Sequence, residues 1–143
     1  MTEKQIQLVQ QSWLQVKPVA RQAGMIFYEK LFIVAPAVKH MFTQDMQQQA
    51  DKLVTMLSYV VTRLHRLDDI IAEVEELGKR HQQYGAAPAH YDVVGSCLVA
   101  TLKDGLADKW TDELQQAWIA AFSILKTAML KHYTTETTAG HSR

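Results

Sequence analysis

Asparagine is absent from this chain, cysteine occurs once, proline three times and glycine six times in 143 residues. These shortages exclude a good deal. With no Asn-Gly pair, and with the Asp104-Gly105 pair inside a helical pattern, tight hairpin turns have almost no signal, and long helices are favoured. One cysteine, Cys97, cannot form an internal disulfide, so a secreted, disulfide-stapled scaffold is out. Neither sign of charge prevails: 15 Lys plus Arg stand against 15 Asp plus Glu, for a formal net charge of zero. That balance removes the basic footprint of a nucleic-acid-binding module and gives no attraction to an anionic membrane. No apolar run approaches the ~20 residues of a membrane span. Met1-Thr2-Glu3-Lys4-Gln5 has no apolar stretch behind a basic start, so no signal peptide is expected and the expected location is cytoplasmic.

What is present is ordinary globular material, 48% apolar and 21% charged, enough for one domain over residues 1–143 with a real core. Thr2 can cap a first helix, with Gln5 returning the capping-box bond. Ile6, Val9, Trp13 and Val16 line one face of it. Pro18 is placed to open a second helix, which carries Phe27, Tyr28, Leu31 and Phe32 and should end before Pro36. A turn-like piece, Pro36 to Phe42, follows. Leu53, Met56, Leu57, Val60, Val61 and Leu64 recur at helical spacing as one buried stripe. Ile70, Val74 and Leu77 define another helix, Gly85 to Pro88 a break, Tyr91, Val94, Leu98 and Leu102 a further helix, and Leu114 to Met129 the last. The tail from Thr134 is expected to fray, leaving a core of about residues 3–133. The fold class is all-α, with about six substantial helices.

Polar residues interrupt two of these apolar stripes. Gln49 precedes Leu53 by one helical turn, and His81 extends the stripe of Ile70, Val74 and Leu77. A buried amide or imidazole needs a hydrogen-bonding or metal partner, since leaving it unpaired costs a few kcal/mol. Taken singly, each could instead sit at a helix end and reach water or backbone, the commoner fate of Gln and His. Tyr28, among Met25, Ile26, Phe27, Leu31 and Phe32, has a ring suited to burial and a hydroxyl that needs a partner; a backbone carbonyl would satisfy it. Signatures of protein-only chemistry are missing. There is no Glu-x-x-His pair, Cys-x-x-Cys, His-Glu-x-x-His, Gly-x-Ser-x-Gly or phosphate-binding glycine loop. Cys97 reads as a small core residue.

Five segments in register resemble the globin family. Phe27-Tyr28-x-x-Leu31-Phe32, followed by Pro36 and Phe42, resembles the second helix of a globin and the corner after it. Gln49-x-x-x-Leu53 resembles the distal helix of a bacterial globin, and Leu77-Gly78-Lys79-Arg80-His81-x-x-Tyr84-Gly85 the proximal segment. His90-Tyr91-x-x-Val94-Gly95-x-x-Leu98 and Ala117-Trp118 resemble the last two helices. The likeness covers about residues 3–133 and is greatest to single-domain bacterial hemoglobins and the globin part of flavohemoglobins, with some likeness to neuroglobin near residues 77–95.

The resemblance implies six to eight helices around heme b, with His81 as the proximal iron ligand. It places Phe42 against the heme face and Leu53 over the distal pocket. Tyr28 and Gln49 face the sixth coordination position, where both can donate to dioxygen as it gathers negative charge. Each such bond contributes roughly 1–3 kcal/mol. Leu57, Leu77, Tyr84 and Val94 are implied as further cofactor contacts, and Lys52 and Arg80 as partners of the heme propionates. Tyr91 resembles the proximal-pocket tyrosine of flavohemoglobins, which works with a carboxylate on the final helix. Here that place falls near Thr135, with Glu136 one residue off. The implied activity is reversible binding of oxygen and other diatomic gases. Nitric oxide dioxygenase activity with a separate reductase, or gas sensing, are the alternatives. Some globin-fold proteins instead lack heme or attach a linear tetrapyrrole through Cys, but Cys97 lies in a core stripe and not in a loop.

Overall fold

The computed structural model describes residues 1–134. Among these the chain forms six α-helices and no strand: α1 (Glu3–Val16), α2 (Ala20–Val34), α3 (Met46–Val61), α4 (Ile71–Gln83), α5 (Pro88–Leu106) and α6 (Asp112–Met129). Short 3-10 turns at Lys17–Val19, Pro36–Met41, Leu64–Asp69 and Ala107–Lys109 join them.

Local chemistry sets the boundaries. The Thr2 hydroxyl accepts from the Gln5 amide and the Gln5 side chain accepts from the Thr2 amide, both at 3.0 Å, closing the expected capping box. Pro18 opens a 3-10 turn, and α2 itself starts two residues later, at Ala20. This corrects the expectation of a helix beginning at Pro18. The α2 helix stops at Val34, because the residue before Pro36 is driven out of the helical region and Ala35 adopts φ −137°. Asp45 caps α3 by accepting from the Gln48 amide at 3.0 Å. Ile70 caps α4 instead of lying within it. Gly85, at φ +101°, reverses the chain after α4, and Pro88 occupies the first turn of α5, where its missing N–H does no harm.

Packing divides the molecule into two halves. The α2 helix lies on α3 and α5, while α6 holds α1, α4 and α5. Trp118, fully buried, ties α6 to α1: its indole N–H donates to the Ser12 hydroxyl at 2.9 Å, which donates to the Val9 carbonyl at 3.0 Å. Trp13 packs 6.2 Å from Trp118 and donates to the Ser58 hydroxyl on α3 at 3.0 Å. Every buried indole donor is thereby satisfied without water. Two small residues allow close helix crossings. A Cβ on Gly24 would stand 3.0 Å from the Ala50 Cβ, so α2 and α3 meet almost backbone to backbone. A Cβ on Gly78 would overlap the Met129 carbonyl, so α4 lies equally hard on α6. The α3 and α4 helices make no extensive contact with each other.

Candidate functional site

On one side of the gap between α3 and α4 stands an aromatic cluster. Helical spacing puts Tyr28 one turn from Phe32, and the Pro36–Met41 turn folds Phe42 back onto both. The ring centroids of Tyr28 and Phe42 are 5.2 Å apart, those of Phe32 and Phe42 5.6 Å and those of Phe27 and Tyr28 4.9 Å, mostly edge to face. Tyr28 is 6% exposed, yet among the described residues its hydroxyl has no hydrogen-bond partner. The backbone carbonyl that would make it an ordinary core tyrosine does not come to it. Burial pushes its phenol up to about 12, so it remains a protonated donor at any ordinary pH.

Gln49 and Leu53 share the α3 face and are both half-buried. The Gln49 side-chain amide likewise has no partner among the described residues. Its neighbours around the helix turn outward as expected: Asp51 is held by Arg21 in a bidentate pair at 2.7 and 2.8 Å, and Lys52 is exposed and makes no ion pair. Leu53 and Leu57 also wall a partly open apolar cavity of about 30 Å³, shared with Trp13, Gly24, Phe27 and Leu98.

His81 stands on the opposing helix, half-buried beside Leu77. Its Nδ1 lies 2.9 Å from the Leu77 carbonyl. A carbonyl can only accept, so Nδ1 carries the proton and Nε2 keeps its lone pair free. Burial, aided by the Arg80 charge and opposed by the Leu77 bond, lowers the imidazole below its ordinary value, which keeps it neutral and able to ligate. Tyr91 on α5 is half-buried, its ring 6.4 Å from that of His81, and its phenol is raised by burial. Leu77 and Val94 are half-buried apolar residues on the same side. Arg80 is exposed and makes no ion pair among the described residues, while Tyr84 is 67% exposed at the end of α4 and stands outside the buried shell. The Thr135 and Glu136 positions, and with them the expected carboxylate partner of Tyr91, lie outside the described residues.

The residues present fit a flat apolar prosthetic group. Phe42, Leu53, Leu77 and Val94 leave apolar surface half open at the edge of the core, one imidazole offers a free lone pair, and the Tyr28 and Gln49 donors have no partner among the described residues. Among the described residues no three of His, Cys, Asp and Glu converge to hold a bare metal ion. No described helix is long and apolar enough to cross a membrane. Cys97 is buried, and Thr101 donates to its carbonyl at 2.8 Å, as suits a core residue. Sequence reasoning missed the Gly24–Ala50 and Gly78–Met129 crossings. Small residues inside otherwise apolar helix faces were the available signal.

Comparison with known proteins defines the class. Residues 26–129 match the family described as Globin. Leghemoglobin from Canavalia lineata is 30% identical over 91% of this chain and 94% of its own length. Leghemoglobin alpha from Phaseolus vulgaris is 32% identical, covering 92% of this chain and 97% of its own. The flavohemoprotein of Bacillus subtilis is 29% identical over 79% of this chain, which spans only 30% of that protein. A bacterial globin structure from Campylobacter jejuni superimposes with a TM-score of 0.80 at 22% identity, covering 91% and 94% of the two chains. The chain belongs to the globin family.

Proposed function

We propose that this chain binds heme b through the Nε2 atom of His81 and reversibly holds dioxygen on the side of Tyr28 and Gln49. When bound, the heme supplies an iron with one protein ligand and one position for a diatomic gas. The observation that carries the reading is the Tyr28 hydroxyl: a phenol on a buried ring, kept protonated, that donates to no other side chain or backbone group among the described residues. The ring is buried but the hydroxyl oxygen is not sealed off, so it remains open to a ligand that accepts a hydrogen bond, worth roughly 1–3 kcal/mol in a dry pocket. Gln49 adds a second donor and Leu53 excludes water. The Leu77 carbonyl fixes the His81 tautomer that presents a lone pair. Arg80 and Lys52, exposed and making no ion pair, stand ready for the propionates, and Tyr91 packs beside the proximal ring. Leu57 and Val94 supply apolar contact, whereas Tyr84 reaches the group only at its solvent edge.

The test is to add hemin to the purified chain and to its His81→Ala variant. The account expects one heme per chain with a stable absorption spectrum in the parent, and loss of stable binding in the variant. Full retention with an unaltered spectrum would refute the assignment of His81.

The match to the flavohemoprotein over 79% of this chain supports a second reading. In that reading the chain removes nitric oxide as a dioxygenase and draws electrons from a separate reductase.

A further inference from the structure

Four contacts from α6 and the residues after it converge on one flank of α4. Glu75, only 17% exposed in its side chain, pairs with His132 at 3.0 Å and Lys131 at 3.4 Å. Its carboxyl is held below the usual range by the His132 hydrogen bond first and by Lys131 after it. The amide of Gln82 donates to the Thr134 carbonyl at 2.8 Å. Between them Gly78 bears directly on the Met129 backbone.

Residues 75, 78 and 82 lie at i, i+3 and i+7 and form one stripe of the helix. Val74, Leu77 and His81 form the adjacent stripe, about a third of a turn around the axis. The Gly78 contact acts as a bearing. A glycine there sets the distance between α4 and α6 but, having no side chain, does little to stop α4 rolling about its own axis. Glu75 at one end of the helix and Gln82 at the other supply what Gly78 lacks. Tyr59 on α3 adds one further tether near the start of α4 by donating to Glu73 at 2.6 Å, whereas the Leu77 carbonyl fixes the imidazole only relative to α4 itself. A roll of about 10° moves an atom at a radius of about 6 Å by roughly 1 Å. A displacement of that size is enough to alter ligation.

We infer that Glu75 and Gln82 are positioning residues which clamp α4 to the end of α6 and so set the direction in which the His81 Nε2 points. The inference rests on the proposed binding of heme. It assigns the Lys131–Thr134 segment a part in tuning the proximal bond.

The decisive experiment compares the heme-loaded parent with Glu75→Ala, Gln82→Ala and the conservative Glu75→Gln. Resonance Raman spectroscopy reads the iron–histidine stretch, and amide hydrogen exchange reads α4. Each alanine variant is expected to shift or broaden the stretch and to speed exchange in α4 by about fivefold, the measure of a tether of modest strength. Glu75→Gln, which can still bond His132, should fall between Glu75→Ala and the parent. Tyr28→Phe, on the opposite side, should leave the stretch in place. A stretch and an exchange rate unchanged in both alanine variants would overturn the inference while leaving heme binding intact. If the parent itself showed no iron–histidine stretch, the proposed function would fail and the inference with it.

Discussion

The Tyr28 phenol meets two physical demands at once, burial of its ring and a partner for its hydroxyl, and the described residues supply only the first. Removing it makes the second visible. Tyr28→Phe should speed oxygen dissociation from the heme-loaded chain by a factor of about 5 to 150, as loss of one hydrogen bond in a dry pocket implies. Stopped-flow displacement measures that rate. The same burial sets a pH dependence in the heme-free chain. The folded phenol is raised to about 12 from 10.0, so its share of stability is fully present below pH 10 and is lost as pH climbs toward 12. The urea midpoint of the parent should therefore fall more steeply above pH 10 than that of Tyr28→Phe. Equal slopes would mean that the phenol is not buried as described. Position and residue type made Tyr28, Gln49 and His81 legible beforehand, because each is a polar group on a helical face reserved for apolar ones. Their partners were not legible. Whether a hydroxyl finds a carbonyl depends on side-chain placement within ångströms, and periodicity carries no such information.

Helices α2 to α4 owe their placement to the two smallest contacts in the molecule, Gly24 against Ala50 and Gly78 against Met129. Glycines in helix interiors separate cleanly by what a methyl group would meet. Gly78→Ala drives a Cβ into the backbone of α6 and should destabilise the chain by about 1–3 kcal/mol, an overpacking cost. Gly95→Ala, in α5 with nothing within 4 Å of the new Cβ, should stabilise by up to about 1 kcal/mol through helix propensity. Urea titration of the two variants measures both, and a neutral Gly78→Ala would deny that α4 rests on α6 as tightly as described. Helix existence was readable from the apolar stripes, and several ends followed from Thr2, Pro36, Gly85 and Pro88, whose backbone chemistry acts locally. The start of α2 was not readable, since a proline at Pro18 suits a 3-10 turn as well as an α-helix. Which faces cross, and how closely, is a matter of long-range packing that helical period leaves open.

The assembled chain presents a globin in which α3 and α4 touch little beyond the Tyr59–Glu73 hydrogen bond, with aromatic and amide groups beside the one and a neutral imidazole on the other. Carrier and enzyme are separated by turnover. As an oxygen carrier, the oxygenated protein should consume nitric oxide once per heme and stop. Sustained consumption on addition of a reductase and a nicotinamide cofactor would establish the dioxygenase reading in its place. The account as a whole stands on one claim, that the His81 imidazole grips heme iron. Its most direct measurement is the absorption spectrum of the ferrous protein after hemin is supplied and reduced in the absence of gas. The account predicts a five-coordinate heme spectrum that converts reversibly on admitting oxygen. A chain that stays colourless, or whose colour passes through a desalting column as free hemin, would contradict it.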